Sequence, residues 1–335
     1  MTRPRAILAA TLLCLSAGGA TAEPVTRTVC VFDPGGANGD AFNLMKDYQA
    51  AAIAWGVKLA LKPYIDEKTA AEDFKAQRCH AALLTGVRTR PFNKFSGTIE
   101  AVGALRNYEQ LGAVIQNLAH PRASSLMRRG DYETVAVFPA GAVYLLVRDR
   151  SMKTVGDLAG RRVATMDYDV AAKVMVQTAG ASMVVADSGT FASMFNNGGV
   201  YACYAPATAF VPLELQKGLG TTGAVIRYPL AQLTMQLVTR ATDFPEGFGV
   251  KSREWVAKEF RRMLRFIERA DRSIPARYWL DVPRADQDRQ DRIFRDVRIR
   301  LRDQEKVFDA QALKLLRRVR CQSEAARAEC AEKKE

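Results

Sequence analysis

Two arginines in one segment are the side chains of this sequence best suited to bind a charged molecule. Arg88 and Arg90 lie in segment 85–93, TGVRTRPFN, directly after an apolar run. Guanidinium groups make paired, charge-assisted hydrogen bonds, so the two could receive an anionic solute. In an extended backbone, residues two apart share a face, and both would point the same way. The alternative is a surface loop with solvated arginines. The candidate ligand contacts are Thr85, Arg88, Arg90, Phe92 and Asn93.

Two further loops offer polar groups. Segment 33–39, DPGGANG, has glycines that let the backbone approach a ligand closely, with a plain tight turn as the alternative. Segment 166–169, MDYD, lies in the second half of the chain, where Tyr and Asn are typical orienting groups of concave sites. The candidates are Asp33, Asn38, Asp167, Tyr168, Asn196 and Tyr204, with Tyr144 and Gln232 as weaker ones.

The residues present exclude most familiar enzyme chemistries. The two histidines, His80 and His120, are interpreted as structural or surface side chains, because nothing in the sequence places an acid next to either. The chain has no Gly-x-Ser-x-Gly, His-Glu-x-x-His or Cys-x-x-Cys motif and no phosphate-binding glycine loop, so we expect no cofactor and no metal. A hydrolase that uses two carboxylates needs only Asp and Glu, and stays open as an alternative.

Alternating strand and helix patterns position these loops. Apolar β-rich runs alternate with amphipathic stretches, which is typical of a mostly parallel sheet. In such a sheet, ligands bind beyond the carboxyl ends of the strands, where the loops leave it. The predicted strands are 28–32, 57–61, 80–84 and one within 92–105, and the predicted helices are 40–55, 66–78 and 108–117.

The same alternation resumes after Ser151, between two long apolar runs at 132–148 and 224–239. Two long crossing strands around a middle α/β block predict a two-lobed α/β protein whose chain passes between the lobes and returns. Apolar spacing predicts helices over 252–269 and 286–320. The expected division is lobe 1 at 23–147 and 236–285, lobe 2 at 148–235, and C-terminal helices at 286–335.

Residues 1–22 have the pattern of a cleaved secretory signal peptide. Two arginines precede the apolar run 6–15, and small residues lead to a cleavage site after Ala22. The formal net charge is +13, and residues 251–335 hold 24 Lys or Arg against 16 Asp or Glu in alternating sign. That alternation indicates a solvated helix surface, and export argues against a nucleic-acid partner. No internal stretch is long and apolar enough to span a membrane.

The cysteines predict two disulfides, because an exported protein meets an oxidising compartment. Cys30 and Cys79 lie in or beside strands that would be neighbours at ~4.8 Å, within the ~4.4 to 6.8 Å range of Cα separations that a disulfide allows. Cys321 and Cys330 would pair across a turn, since a continuous helix would hold them about 13.5 Å apart. Cys203, in an apolar run, is expected to be a buried free thiol.

Several motifs resemble those of periplasmic binding proteins. Segment 155–163, VGDLAGRRV, followed by a helix and by 195–200, FNNGGV, is similar to the DctP-like receptors that serve TRAP transporters. Segments 30–34, CVFDP, and 73–75, DFK, together with 85–93, more closely resemble the AdeT-type solute-binding proteins. The resemblance covers the whole mature chain. It implies a two-lobed periplasmic-binding-protein type II fold with hinge strands, which closes on a small solute for a membrane transporter.

One position departs from the DctP-like pattern. Dicarboxylate receptors of that group hold a ligand carboxylate with an arginine. That arginine lies on the strand that follows the glycine of the segment similar to 155–163. Counted from Gly160, the corresponding residue here is Ala164. A methyl group cannot replace a bidentate guanidinium, so the resemblance implies binding without identifying the solute.

The sequence therefore predicts a periplasmic protein that captures a small solute, for which the two arginines suggest an anion, in an interlobe cleft and passes it to a membrane transporter. We expect it not to be an enzyme. One alternative is a periplasmic interaction or efflux-associated module that docks through its basic C-terminal helices, which a filled cleft and an exposed apolar helix face would favour. The other is the carboxylate-based hydrolase, which a close pair of inward carboxylates would favour.

Overall fold

A computed structural model describes residues 23–335, so the predicted signal peptide at 1–22 lies outside the described residues. The strands are Val25–Phe32 (β1), Val57–Tyr64 (β2), Ala81–Thr85 (β3), Arg128–Arg129 (β4), Tyr132–Val147 (β5), Arg162–Met166 (β6), Ser182–Ala186 (β7), Ala202–Pro206 (β8), Ala224–Ile226 (β9), Ala231–Arg240 (β10) and Trp279–Leu280 (β11). The helices are Asp40–Ile53 (α1), Glu67–Lys75 (α2), Gly86–Thr89 (α3), Lys94–Gly97 (α4), Tyr108–Ala119 (α5), Ser124–Met127 (α6), Val170–Thr178 (α7), Phe191–Asn196 (α8), Gln216–Leu219 (α9), Phe248–Ser273 (α10), Arg284–Asp303 (α11), Ala310–Ser323 (α12) and Ala328–Glu332 (α13).

The first lobe is built on strands β2, β1 and β3, which run parallel, with β10 antiparallel beside β3 and β5 beyond it. The parallel pairs follow from the predicted alternation of strand and helix. Strand β3 reads Ala-Ala-Leu-Leu before Thr85, and these four residues are fully buried. A strand covered on both faces needs such a continuous apolar run.

The second lobe continues the same sheet from β5 through β8 and β6 to β7. Strand β5 is long enough to serve both lobes, because Tyr132–Val143 pairs with β10 and Val143–Val147 pairs with β8. Strands β5 and β10 therefore lie side by side where the lobes join. The predicted two-lobed α/β fold is confirmed, while the residue limits of the lobes stay a prediction.

The long helices cover this sheet and connect its two parts. Helix α10 packs its apolar stripe on β5 and on α5, and α12 also packs on α5. Helix α11 packs instead on α7 of the second lobe. The C-terminal helices consequently contact both lobes.

One predicted strand is a short helix. Within 92–105 the structure has turns and the helix α4, not a strand. The Asn93 side chain accepts a hydrogen bond from the Ser96 N–H at 3.1 Å, which starts the helix. Capping by Asn thus overrides the apolar pattern that suggested a strand.

Two other predicted elements are each divided in two. The strand predicted over 224–239 is interrupted between β9 and β10, where Pro229 has no N–H to give to a ladder. The helix predicted over 286–320 ends after α11 and restarts at α12. Lys306 between them has a φ of 55°, and the side chain of Asp309 caps the second helix.

Segment 85–93 is not extended. The Thr85 hydroxyl accepts from the Arg88 N–H at 3.4 Å, and α3 begins at the next residue. Residues two apart on a helix lie roughly 200° apart around its axis. Arg88 and Arg90 therefore point in different directions. The two guanidinium groups do not share a face, as they would on an extended backbone.

Both expected disulfides are formed. Cys30 of β1 bonds Cys79, which lies just before the neighbouring strand β3, with their Cα atoms 5.8 Å apart. Cys321 bonds Cys330 across the turn that separates α12 and α13, with a Cα separation of 5.6 Å. Cys203 is buried and has no disulfide partner within residues 23–335. In the same range, no helix combines the length and apolarity needed to cross a membrane.

Candidate functional site

A cavity of about 140 Å³ lies where the two lobes meet. Its walls are mostly aliphatic and come from β5, β6, α7 and β10. Roughly 10–15 Å³ holds one water molecule, so this cavity has room for a small organic solute. The apolar lining includes Val143, Leu145, Leu158, Val163, Met175 and Leu233. The polar lining consists of Arg90, Glu100, Asp169 and Tyr204.

Glu100 is the most deeply buried acid of the cavity, with 6% of its surface exposed. Its Oε1 accepts hydrogen bonds from the Gly86 N–H at 3.0 Å and from the N–H and hydroxyl of Thr234 at 2.6 and 2.7 Å. Its Oε2 has no hydrogen-bond partner among residues 23–335. Burial raises the pKa of Glu100 from 4.5 to about 7, and the bonds from Thr234 oppose that rise. Oε2 is therefore an unused polar atom at the cavity.

Gly86 makes the tight environment of Glu100 possible. A Cβ atom at this position would stand 2.5 Å from the Glu100 Oε1, closer than two such atoms can approach. Any larger residue would push the carboxylate away from its three donors. The glycine at the start of α3 is thus required by close packing.

Arg90 and Asp169 approach each other from opposite lobes. The Arg90 Nε–H donates to the Gly97 carbonyl at 3.2 Å, and its Nη1 lies 3.6 Å from the Asp169 Oδ1. The same Oδ1 accepts from the Ala171 N–H at 3.0 Å, so that Asp169 also caps α7. The terminal nitrogens of Arg90 make no hydrogen bond with the described part of the chain. They are available to a ligand.

Arg88, Tyr168 and Glu67 form a second contact between the lobes, which we call the rim contact. The guanidinium of Arg88 lies 3.5 Å from the ring centroid of Tyr168 and 3.6 Å from the Glu67 Oε2. The Tyr168 hydroxyl donates to that Oε2 at 3.2 Å, and the Glu67 Oε1 accepts from the Thr85 N–H at 2.7 Å. Burial raises the pKa of Tyr168, so the hydroxyl keeps its proton. The rim contact holds the 167–169 loop against the first lobe.

Tyr204 lines the cavity from β8. Its hydroxyl oxygen accepts from the Met166 N–H at 3.1 Å. No acceptor for the hydroxyl hydrogen is found in the part of the chain that the structure describes. Burial raises the pKa of Tyr204, so its O–H remains a donor at every physiological pH.

The structure brings together five of the residues that the sequence singles out. They are Thr85, Arg88, Arg90, Tyr168 and Tyr204, all at the cavity or in the rim contact. Asp167 belongs to the same loop, but its side chain is exposed. Whether each of these residues contacts a ligand stays a prediction.

The first predicted loop lies apart from the cavity lining. Asp33 is 5% exposed and accepts from the N–H groups of Gly35 and Phe42 at 2.7 and 3.0 Å, so it stabilises its own turn and the start of α1. Asn38 is exposed. A polar group that is fully used by its own loop has little left for a solute.

Four other candidates take part in structural contacts. Phe92 packs its ring on Phe74 and Tyr132, with centroids 5.2 and 5.0 Å away. Asn93 caps α4, and the Tyr144 hydroxyl donates to Asp271 at 3.4 Å. The Asn196 amide donates to the Leu213 carbonyl and accepts from the Gly218 N–H. Gln232 is 1% exposed, and its amide atoms have no partner in residues 23–335.

Sequence reasoning missed Glu100, Glu67 and Asp169. Glu100 stands in the apolar run Ile99-Glu-Ala-Val102, and an acid in such a run is the signal that could have identified it. Asp169 belongs to segment 166–169, of which the sequence indicates only Asp167 and Tyr168 as candidates. Glu67 reads as an ordinary first-turn acid of a helix.

The position compared with the dicarboxylate receptors faces away from the cavity. Ala164 is 1% exposed and packs in the second core cluster, whereas its neighbour Val163 lines the cavity. Successive residues of a strand point to opposite faces. Strand β6 therefore contributes an aliphatic wall, and Arg90 of the first lobe is the guanidinium that reaches the cavity.

A two-lobed α/β molecule with a cavity between its lobes and a long strand shared by both has the architecture of the periplasmic-binding-protein fold. The fold is similar to a TRAP periplasmic solute-binding protein of Rhodoferax ferrireducens with bound malonate, at a TM-score of 0.68, 13% identity and coverage of 89% of this chain and 99% of that one. A TRAP periplasmic solute-binding protein of Sulfurospirillum deleyianum with bound succinate matches at a TM-score of 0.60 and 12% identity, covering 89% and 99% of the two chains.

Within that class, the chain belongs to the family described as solute-binding protein AdeT 1/2, which it matches over residues 50–335. The probable solute-binding protein AdeT1 of Acinetobacter baumannii is 40% identical over 301 residues, covering 90% of this chain and 99% of the relative. The probable solute-binding protein AdeT2 of the same organism is 24% identical over 234 residues, covering 70% and 98%. The predicted resemblance is confirmed.

Proposed function

We propose that this protein captures a small solute in the interlobe cavity and delivers it to a membrane transporter. The observation that carries the proposal is the unused Oε2 of Glu100, buried at a cavity whose polar lining comes from both lobes. A buried polar atom without a partner is costly unless a ligand or ordered water satisfies it. A solute bound there would relieve that cost.

Closure of the lobes would couple to binding through the contacts that cross the cleft. Arg90 with Asp169 and the rim contact both join a first-lobe helix to the 167–169 loop. These contacts exist only when the lobes are together, and a solute that touches both lobes favours the same state. The protein would thus present a closed, loaded form and an open, empty form to its partner.

The periplasm is the proposed site of action. Support comes from the family to which the chain belongs and from the signal-peptide pattern at 1–22. Similar folds from TRAP systems carry malonate or succinate, which makes a transporter subunit of that kind the proposed partner. We propose no nucleic-acid partner and no catalytic activity.

The hydrolase alternative has one observation in its favour, because the carboxyl groups of Glu100 and Asp169 both line the cavity. Against it, the Glu100 Oε1 already accepts from three donors, and Asp169 caps α7 beside Arg90. The interaction-module alternative finds less support. The apolar side chains of α11 and α12, among them Phe294, Leu301, Leu313 and Leu316, are buried.

The test is native mass spectrometry of protein purified from the periplasm without refolding. We expect the parent protein to retain a small molecule. The mass of that molecule should not change after prolonged incubation with the protein. Loss of the solute with gain of hydrolysis products would support the hydrolase instead. Protein that never carries a solute and binds none from periplasmic extract would contradict the proposed function.

A matched pair of variants locates the site. Arg90→Ala removes a guanidinium from the cavity, and Arg129→Ala removes one from an exposed position on β4. A charge-assisted hydrogen bond contributes ~1.5 to 3 kcal/mol, so Arg90→Ala should weaken binding of the retained solute by roughly 10- to 150-fold. Arg129→Ala should leave it unchanged. Equal affinities in both variants would place the solute elsewhere.

A further inference from the structure

We propose that the solute is a small zwitterion with an aliphatic body, chemically an aliphatic α-amino acid such as leucine or valine. This inference rests on the proposed function, because it assigns the ligand class of the same cavity. A zwitterionic solute differs from the simple anion that Arg88 and Arg90 suggest in the sequence. Three features of the cavity carry it: the aliphatic walls, the unused oxygen of Glu100 and the unused nitrogens of Arg90.

The aliphatic walls select the body of the solute. Fifteen of the nineteen lining residues are Val, Leu, Ala or Met, and the charged ones are confined to Arg90, Glu100 and Asp169. A polar body, such as a second carboxylate or a polyol chain, would lose its hydration against these walls without gaining a partner. A branched hydrocarbon chain gains by leaving water there.

The Glu100 carboxylate selects a positive group. Its Oε2 is the lining atom that is both unpartnered within residues 23–335 and more than nine-tenths buried. An ammonium group placed on that oxygen would satisfy it with a charge-assisted bond and would favour the ionised carboxylate. Burial raises the pKa of Glu100 to about 7 although the Thr234 bonds and Arg90 act to lower it, and an ammonium bound to the carboxylate would lower it further.

Arg90 and Tyr204 select a negative group. The terminal nitrogens of Arg90 carry free N–H donors, since the Nε–H alone is used by Gly97 and Asp169 stands 3.6 Å from Nη1. The Tyr204 hydroxyl accepts from Met166 and keeps its own hydrogen for an acceptor. A carboxylate could take bonds from both residues.

The charge balance of the cavity separates the zwitterion from simpler solutes. The lining holds one guanidinium, Arg90, and two carboxyl groups: Asp169, whose Oδ1 lies 3.6 Å from the Arg90 Nη1, and Glu100, whose pKa Arg90 acts to lower. A lone carboxylate would meet two acids and one arginine, and a lone amine would leave the arginine donors unused. An α-amino acid presents both charges from one carbon and leaves its side chain for the aliphatic walls.

The experiment is calorimetric titration of the whole protein, stripped of bound solute by partial unfolding and refolding, with a set of matched ligands. Leucine carries both charges, 4-methylpentanoate lacks the ammonium, 3-methylbutylamine lacks the carboxylate, and succinate lacks the aliphatic body. We expect leucine or valine to bind at least tenfold more tightly than each of the other three. If 4-methylpentanoate, the amine or succinate binds as tightly as the amino acids, the inference is wrong.

The Glu100→Gln variant tests whether Glu100 binds the ammonium group of the solute. The amide keeps an acceptor for the three donors of Oε1 and replaces Oε2 by a neutral NH₂, so the fold should be retained. We expect a 10- to 150-fold loss of leucine affinity, the effect of losing one charge-assisted bond, with little change for 4-methylpentanoate. Glu109→Gln, at an exposed position of α5, is the matched control and should bind leucine as the parent does. Equal losses for leucine and 4-methylpentanoate would overturn the assignment of Glu100.

Failure of this inference and failure of the proposed function give different results. A retained solute of another class in native mass spectrometry, with no amino-acid binding in calorimetry, would overturn the zwitterion and keep solute capture. Absence of any retained or titratable solute would overturn both.

Discussion

At the scale of single residues, Glu100 has the most unusual environment in the cavity. Three donors hold its Oε1, while its Oε2 is buried and has no hydrogen-bond partner within the described chain. Burial raises its pKa from 4.5 to about 7. A group of this kind makes the stability of the solute-free protein depend on pH.

We expect the free energy of unfolding of the parent, measured relative to Glu100→Gln, to fall by about 3 kcal/mol as pH rises from 4.5 through 7. The native carboxyl keeps its proton up to about pH 7, whereas the unfolded chain loses it near 4.5. Between these values the native state binds more protons, so its stability is fully present below pH 4.5 and is lost on raising the pH. Urea unfolding at pH 4.5 and 8 measures the difference. A difference between parent and variant that does not change with pH would contradict this account.

The contacts of Arg88 and Arg90 also depend on the few side chains beside them. Arg88 lies on the Tyr168 ring beside Glu67, and Arg90 lies beside Asp169. Each guanidinium therefore has a carboxylate close to it already. Arg88 is thus held in the rim contact, whereas the terminal nitrogens of Arg90 make no hydrogen bond with the described part of the chain.

At the scale of elements, the C-terminal helices fix the segment that carries Glu100. Arg298 of α11 and Arg320 of α12 are buried, and they donate to the carbonyls of Val102 and Ala104 at 2.8 Å each. Both also bind the Glu329 carboxylate of α13, at 3.1 and 2.9 Å. Burial acts to raise the pKa of Glu329, but Arg320 and the other arginines lower it to about 2.

We expect Glu329→Gln to lower the free energy of unfolding by ~1.5 to 3 kcal/mol, because it removes one of the two carboxylates that Arg298 and Arg320 share while the other, Glu335, stays bound to both. Glu332→Gln, which removes an exposed acid from ion pairs at the end of the same helix, should cost clearly less. Urea unfolding of both variants at pH 7 makes the comparison. If the two cost the same, the buried ion cluster does not secure the C-terminal helices.

The pH dependence of that cluster has the opposite sign to that of Glu100. The folded-state pKa of Glu329 lies below its usual value of 4.5, so its contribution is present above pH 4.5 and is lost as pH falls towards 2. The two carboxyl groups thus favour folding in different pH windows. Their effects can be separated by comparing each Gln variant with the parent across pH.

At the scale of the whole molecule, strands β5 and β10 join the lobes and the 167–169 loop closes over the first lobe. The closing contacts are few: in the rim contact the Tyr168 ring lies against Arg88, and its hydroxyl donates to Glu67 at 3.2 Å. Weak closure of this kind suits a protein that must also open to release its solute. The closed state should therefore be sensitive to a single substitution in the rim contact.

We expect Tyr168→Phe to weaken binding of the retained solute roughly fivefold, the effect of one hydrogen bond of ~1 kcal/mol that exists only in the closed form. Tyr201→Phe is the control, because that ring packs under Arg161 in the second lobe and its hydroxyl makes no hydrogen bond within residues 23–335. Small-angle scattering of the solute-free proteins should show a larger mean radius for Tyr168→Phe alone. Unchanged affinity and radius would mean that this contact does not hold the lobes together.

The two-lobed α/β class, both disulfides and most of the order of elements could be predicted from the sequence. These depend on local information: the alternation of apolar runs with amphipathic stretches, and the placement of cysteines beside neighbouring strands. Local capping limited the accuracy of the predicted secondary structure. Asn93 starts a short helix where apolar spacing predicts a strand, and Thr85 starts one where an extended loop is expected. Pro229 likewise divides a run that its composition presents as one strand.

The set of polar groups that meet at the cavity depends on the tertiary structure. Glu100, Arg90, Asp169 and Tyr204 come from widely separated segments, and their proximity depends on the approach of two lobes. Asp33 and Asn196 have residue types as suitable as these, but local hydrogen bonds use their polar atoms. The burial that shifts the pKa of Glu100 is likewise a property of the packed molecule, because desolvation depends on every neighbour in space.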